Sequence, residues 1–251
     1  MSMVYESQGK TTQAATSVSI GMSLVMRTVL FLLFGILAAG ICAVFGDGNP
    51  LLAAEKWWPF QAIFANFATF LILRYLVRRE GGQYRQFFQI QKRRLRKDFL
   101  QFVWLVPVGF VLGGVPLYLF SYLILGSLVP PDLMFQPLPL WAALVALLVF
   151  PLSNALVETP TYMGYALPRL TQATGKLWFG VLLTGMALAF QHVALPVVTD
   201  SLYMLWRFTA FLPLAIGLGL IYMRTKKLLP IVLAHYIMDL QLIVTVFLYS
   251  I

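Results

Sequence analysis

Residues 138–170 read LPLWAALVALLVFPLSNALV-ETPTYMGYALPRL, twenty nearly uncharged residues followed at once by a carboxylate, Glu158. A run of about 20 predominantly apolar residues crosses a bilayer as a helix, so this stretch decides the fold class. The rest of the chain agrees: 60% of its 251 residues are hydrophobic, 11% are charged, and the mean hydropathy is +0.83. A soluble globular domain does not have that composition. Seven apolar runs qualify as spans, at residues 22–45, 58–77, 99–125, 138–157, 177–197, 203–223 and 229–249. The third carries Pro107, Gly113, Gly114 and Pro116 and could divide in two. The expectation is an all-α polytopic bundle of seven to eight transmembrane helices.

The connections set the orientation. Residues 78–97 hold eight Lys or Arg, including K-R-R-L-R-K, and the loops after spans four and six add Arg169, Lys176, Arg224, Lys226 and Lys227. The alternate loops carry Asp47, Glu55, Lys56, Asp132 and Asp200. The positive-inside rule then predicts an integral protein of the plasma (inner) membrane, N-terminus cytoplasmic and C-terminus outside. The net charge of +9 is read as membrane orientation and attraction to anionic lipids at the 78–98 loop, with no nucleic acid as partner. In that loop Tyr84, Phe87, Phe88, Ile90 and Leu95 alternate loosely with basic residues, which predicts an amphipathic helix on the inner leaflet. Arg27 and Arg207 are expected to snorkel from nearby helix ends, and the six tryptophans to form an interfacial belt. Residues 1–21 read as a polar segment without a signal-peptide pattern, 22–137 as the N-terminal helices, and 138–251 as the core. The single cysteine, Cys42, says nothing about redox compartment.

Four ionisable residues draw attention inside the apolar runs: Glu158, Asp239, and the chain's two histidines, His192 and His235. Ionisable groups at membrane depth are costly and mark function by default. His235 and Asp239, four apart, share a helix face. Taken alone they suit a buried structural pair as well as a site. His192, taken alone, suits a packing role with a hydrogen bond across the bundle. Glu158 precedes Thr159-Pro160, which either starts a new helix or bends a continuous one and frees the carbonyl of Leu156. A desolvated carboxylate beside disturbed backbone suits general-base work on water, and Asn154, one turn earlier, could orient it.

Glu158, then L-A-F-Q-H ending in His192, then H-Y-I-M-D from His235 to Asp239 resemble, in order and spacing, the CPBP (Abi) family, which includes the type II CAAX prenyl endopeptidases. That family carries Glu-Glu-x-x-x-Arg, Phe-x-x-x-His and His-x-x-x-Asn/Asp. The resemblance covers about half the chain, from span four onward. It implies an intramembrane endopeptidase in which Glu158 activates water, His192 assists, and His235 with Asp239 stabilises the oxyanion. The substrate it implies is a membrane-embedded peptide or lipidated protein, with a prenylated or hydrophobic tail. Thr159 and Met163 replace the motif's second Glu and its Arg, a joint loss that orphans no buried charge. Two His and two carboxylates could bind zinc, but no H-E-x-x-H is present, and the expected reaction uses no cofactor. The competing readings are an inactive relative serving as scaffold or immunity-type protein, a proton-coupled transporter, and haem ligation by His192 and His235.

Overall fold

The computed structural model describes residues 16–88 and 95–251. Its helices are α1 (Ser17–Val44), α2 (Pro50–Glu55), α3 (Trp58–Arg79), α4 (Leu95–Phe120), α5 (Leu140–Thr159), α6 (Leu167–Thr174), α7 (Leu177–Gln191), α8 (Ser201–Thr225) and α9 (Leu229–Tyr249). Among the described residues seven helical stretches are long and apolar enough to cross a membrane. The third is undivided: α4 runs through Pro107 and Pro116 and closes in a π turn at Ser121–Leu125. Much of its apolar surface faces outward, including Phe99, Trp104, Val111, Val115 and Leu119, as a lipid-facing helix requires.

The fourth span exceeds its expected end. Pro160 cannot donate a backbone hydrogen bond, yet the chain neither stops nor restarts there. Pro160–Ala166 winds as a π segment between α5 and α6, and the Thr161 hydroxyl donates to the Val157 carbonyl at 2.7 Å. Glu158 therefore sits in the last turn of α5, immediately before a widened turn. Such π segments recur at functional sites.

Helix α5 packs on α3 and α9, α7 on α8, and α4 across α8 and α9, while α1 lies against α3 and α7. One apolar layer gathers Phe31, Trp58, Ala62, Ala65, Ala142, Ala146, Phe150, Ile243 and Val246. Others gather Met26, Leu73, Leu76 and Tyr165, and Leu105, Tyr162, Met163, Leu188 and Ile231. Arg27, Asn66, Asn154, Glu158 and Asp239 fall, in register along their helices, between these layers. The α3–α5 contact buries the small residues Ala62, Ala65, Ala142, Ala143 and Ala146, the residue type that favours close helix packing in membranes.

Two expectations change. The 78–97 segment is not one amphipathic surface helix: α3 ends at Arg79, Tyr84–Phe88 is a 3-10 turn, and α4 has begun by Leu95. The intervening 89–94, with Ile90 and most of the basic run, lies outside the described residues. Tyr84 turns into the bundle because its ring finds edge-on partners in Phe70 and Phe87, at 4.9 and 5.5 Å between centroids. Nor are all six tryptophans a lipid-facing belt. Trp58 and Trp206 are buried, each donating its indole N–H to a carbonyl, of Met134 and Leu117 respectively, at 2.9 Å. At the end of the bundle where the basic loops meet, Glu80 pairs with Arg169, and Asp98 with Lys227.

A chain that crosses a membrane an odd number of times has its ends on opposite sides, and the basic loops predict the N-terminal end in the cytoplasm. A reporter joined after Ile251 is expected to be active only outside the cytoplasm, and cytoplasmic activity would overturn the topology. In the short α2, Glu55 is buried and its Oε2 has no hydrogen-bond partner among the described residues. Burial pushes its carboxyl above the ordinary range, so the ionised form costs folding energy, fully so above the folded-state pKa. Glu55→Gln is expected to raise the melting temperature at neutral pH. The gain should shrink as pH falls through the carboxylate range, and a pH-independent difference would contradict it.

Candidate active site

The centre of the polar layer is Arg27. It stands ten residues past Ser17, a rise of ~15 Å along α1, and is fully buried. It does not snorkel, because its donors are taken up inside the bundle. Nε donates to Gln191 Oε1 at 2.6 Å, Nη1 to Asn66 Oδ1 at 2.7 Å, and Nη2 to Asn154 Oδ1 at 2.9 Å and Glu158 Oε2 at 3.2 Å. One planar guanidinium thus joins α1, α3, α5 and α7. The Phe31 ring lies below it at 4.9 Å.

Glu158 is 4% exposed, and Arg27 supplies the opposite charge beside it. Its Oε2 is held by Arg27, while Oε1 lies 3.7 Å from His235 Nε2, beyond a direct hydrogen bond. One turn further along α9, Asp239 Oδ2 lies 3.3 Å from the same nitrogen. Asn154 joins the two halves. With its Oδ1 on Arg27, its Nδ2 donates to Asp239 Oδ2 at 3.0 Å. The other face of the imidazole is fixed by Thr159, whose hydroxyl is 2.9 Å from His235 Nδ1. Thr159, in the position of the motif's second Glu, is therefore part of the site. Met163, in the position of the motif's Arg, is buried among apolar side chains, and the cation beside Glu158 comes from α1.

His192 lies just past the end of α7, in a 3-10 turn leading to a cis peptide before Pro196. Its Nδ1 is 3.0 Å from the Leu188 carbonyl. A carbonyl only accepts, so Nδ1 carries the proton and Nε2 is left with its lone pair. The ring is stacked on Phe211 at 3.7 Å, and the Arg207 guanidinium sits over the same phenyl ring at 4.8 Å. Arg207 is buried as well: it donates to the carbonyls of His192 and Leu195, at 3.2 and 2.9 Å. Those backbone acceptors, left open where α7 ends, hold it in the bundle. No hydrogen bond joins His192 to Glu158 among the described residues.

Of the four residues singled out from sequence, Glu158, His235 and Asp239 form one contact cluster, while His192, at the end of α7, makes its contacts with Leu188 and Phe211. Reading only acids and histidines missed Arg27, Asn66 and Gln191. The overlooked signal was the same for all three, a strongly polar side chain inside an apolar run. Among the described residues no three His, Cys, Asp or Glu side chains are disposed to share a metal ion, and Glu158 commits one oxygen to Arg27. The arrangement offers a carboxylate with one anchored and one open oxygen, opposite a histidine held from both sides. Such a pair can take a proton from water and donate to an oxygen that gains charge.

Comparison with curated proteins and with solved structures gave no match. A family model did match: type II CAAX prenyl endopeptidase Rce1-like, over residues 139–241. The matched span runs from α5 to α9 and contains Glu158, His192, His235 and Asp239. Over residues 139–241, from α5 into α9, the chain is thus similar to the Rce1-like, type II CAAX prenyl endopeptidase family.

Proposed function

We propose that this protein is an intramembrane endopeptidase of CAAX-protease type, hydrolysing a peptide bond in a membrane-anchored peptide with a prenylated or hydrophobic tail. The observation that carries the reading is the Glu158 carboxylate, tethered by Arg27 through one oxygen and facing His235–Asp239 with the other. In the proposed reaction Glu158 takes a proton from water, and the water oxygen bonds to the scissile carbonyl carbon. The carbonyl π pair moves onto oxygen, where the Nε2–H of His235, shared with Asp239 Oδ2 at 3.3 Å, donates a hydrogen bond. Collapse of the adduct breaks the C–N bond, and the proton on Glu158 passes to the departing amine. The Nε2 lone pair of His192 assists by holding the water, and Asp239 with Thr159 keeps the His235 ring in place.

The inactive-relative reading is supported by Thr159 and Met163, which replace the motif's second Glu and its Arg, and by the ion pair that occupies Glu158 Oε2. A cleavage assay separates the two. In proteoliposomes with a farnesylated C-terminal reporter peptide, Glu158→Gln is expected to lower turnover by roughly 100- to 10,000-fold. His235→Ala should cost ~100- to 1000-fold, the usual effect of losing one oxyanion donor. Both are compared at matched folded protein, since Glu158→Gln also deprives Arg27 of its counter-ion. Undiminished cleavage by Glu158→Gln would end the protease reading. The orientation proposed from the basic loops places the N-terminus in the cytoplasm, with anionic lipids against the 78–98 segment.

A further inference from the structure

Covalent structure fixes one weakness beside Glu158. Proline at 160 has no N–H, so the helical hydrogen bond that would reach the carbonyl of Leu156 cannot form. In a span at membrane depth, no water stands ready to replace it. The replacement comes from far along the chain. The Tyr84 hydroxyl donates to the Leu156 carbonyl at 2.7 Å. Leu156 is two residues before Glu158, so this bond ties down the turn that carries the carboxylate.

The same short segment touches the far side of that turn. Gly164, inside the π segment, leaves room for the Phe87 ring. A Cβ there would lie 2.9 Å from Phe87 Cδ1 and 3.1 Å from Leu228 Cδ2. Tyr84 and Phe87 thus hold the widened turn at both ends, one by a hydrogen bond and one by packing. Phe70, Phe87 and Phe88 surround the Tyr84 ring within 6 Å between centroids, so the hydroxyl has little freedom to leave.

We infer that the Tyr84–Phe88 segment is a positioning strap for the proposed general base, with the Tyr84 hydroxyl standing in for the hydrogen bond that Pro160 forfeits. The inference rests on the protease reading given above. It gives Tyr84, outside the matched domain, a role in the reaction without contact with substrate. Displacing a reacting group by about 1 Å can cost ~100-fold in rate, and the strap controls a shift of that kind.

The test is a double-mutant cycle of Tyr84→Phe and Pro160→Ala in the same proteoliposome assay, with melting temperature measured in parallel. Alone, Tyr84→Phe removes one oxygen and is expected to lower kcat roughly 10- to 100-fold while leaving KM within about twofold. Pro160→Ala restores an N–H that can reach Leu156. In that background the same Tyr84→Phe change should cost less than about threefold, because the hydroxyl has become redundant. A merely structural tyrosine would lower the yield of folded protein without this rescue. An unchanged kcat in Tyr84→Phe overturns the inference, as does an equal loss in both backgrounds. Gly164→Ala, which pushes Phe87 away, is expected to lower kcat in the same manner, and full activity there also counts against the strap. If the wild-type chain cleaves no reporter, the protease reading fails. The bond is then judged by melting temperature alone: non-additive shifts across the cycle support a Tyr84 contact that substitutes for the helix bond, and additive shifts refute it.

Discussion

A charged guanidinium with no access to water is the constraint on which the centre of this bundle depends. Arg27 is tolerable in hydrocarbon only if its donors are satisfied and its charge is balanced. Meeting that demand draws in Asn66, Asn154, Glu158 and Gln191 from three other helices. Removing one partner of a buried pair leaves the other charge stranded, at a cost of about 3–5 kcal/mol. The pair therefore contributes less to net stability than to a choice of register. Only one rotation of each helix brings these acceptors to one guanidinium.

The same constraint explains how a buried carboxylate can keep one oxygen clear of a direct hydrogen bond. One oxygen of Glu158 neutralises Arg27 and stays where it is. The other faces His235, whose ring is pinned by Thr159 and Asp239 on opposite edges. Fixed groups aimed at a small volume are what preorganised catalysis requires. In this chain the fixing groups come from both halves of the sequence. The matched domain contains the acid and the histidines, and the N-terminal helices contribute the cation and the strap.

Helix number and position were legible because hydropathy over twenty residues reports directly on bilayer thickness. Span seven, residues 229–249, matches α9 to the residue. Glu158, His235 and Asp239 were legible for a related reason, since an ionisable group in an apolar run has few structural excuses. Arg27 was misread because a long basic side chain near a helix end ordinarily reaches the interface. Nothing local in the sequence says that four acceptors wait for it across the bundle. Tyr84 was misread in the same way. An aromatic residue among arginines suggests a membrane surface, and its partner is a single carbonyl 72 residues away. Periodicity reports a residue's own helix, whereas the pairing that decides its role is set by tertiary packing.

Helix α7 has 15 residues, a rise of about 22 Å, against a hydrocarbon core of about 30 Å. The 3-10 turn His192–Ala194 carries the span on to 18 residues, and carbonyls at that end are met by Arg207 where water would otherwise be needed. Closed by an arginine from within the bundle, this helix end can lie among apolar neighbours without a water-filled crevice beside it.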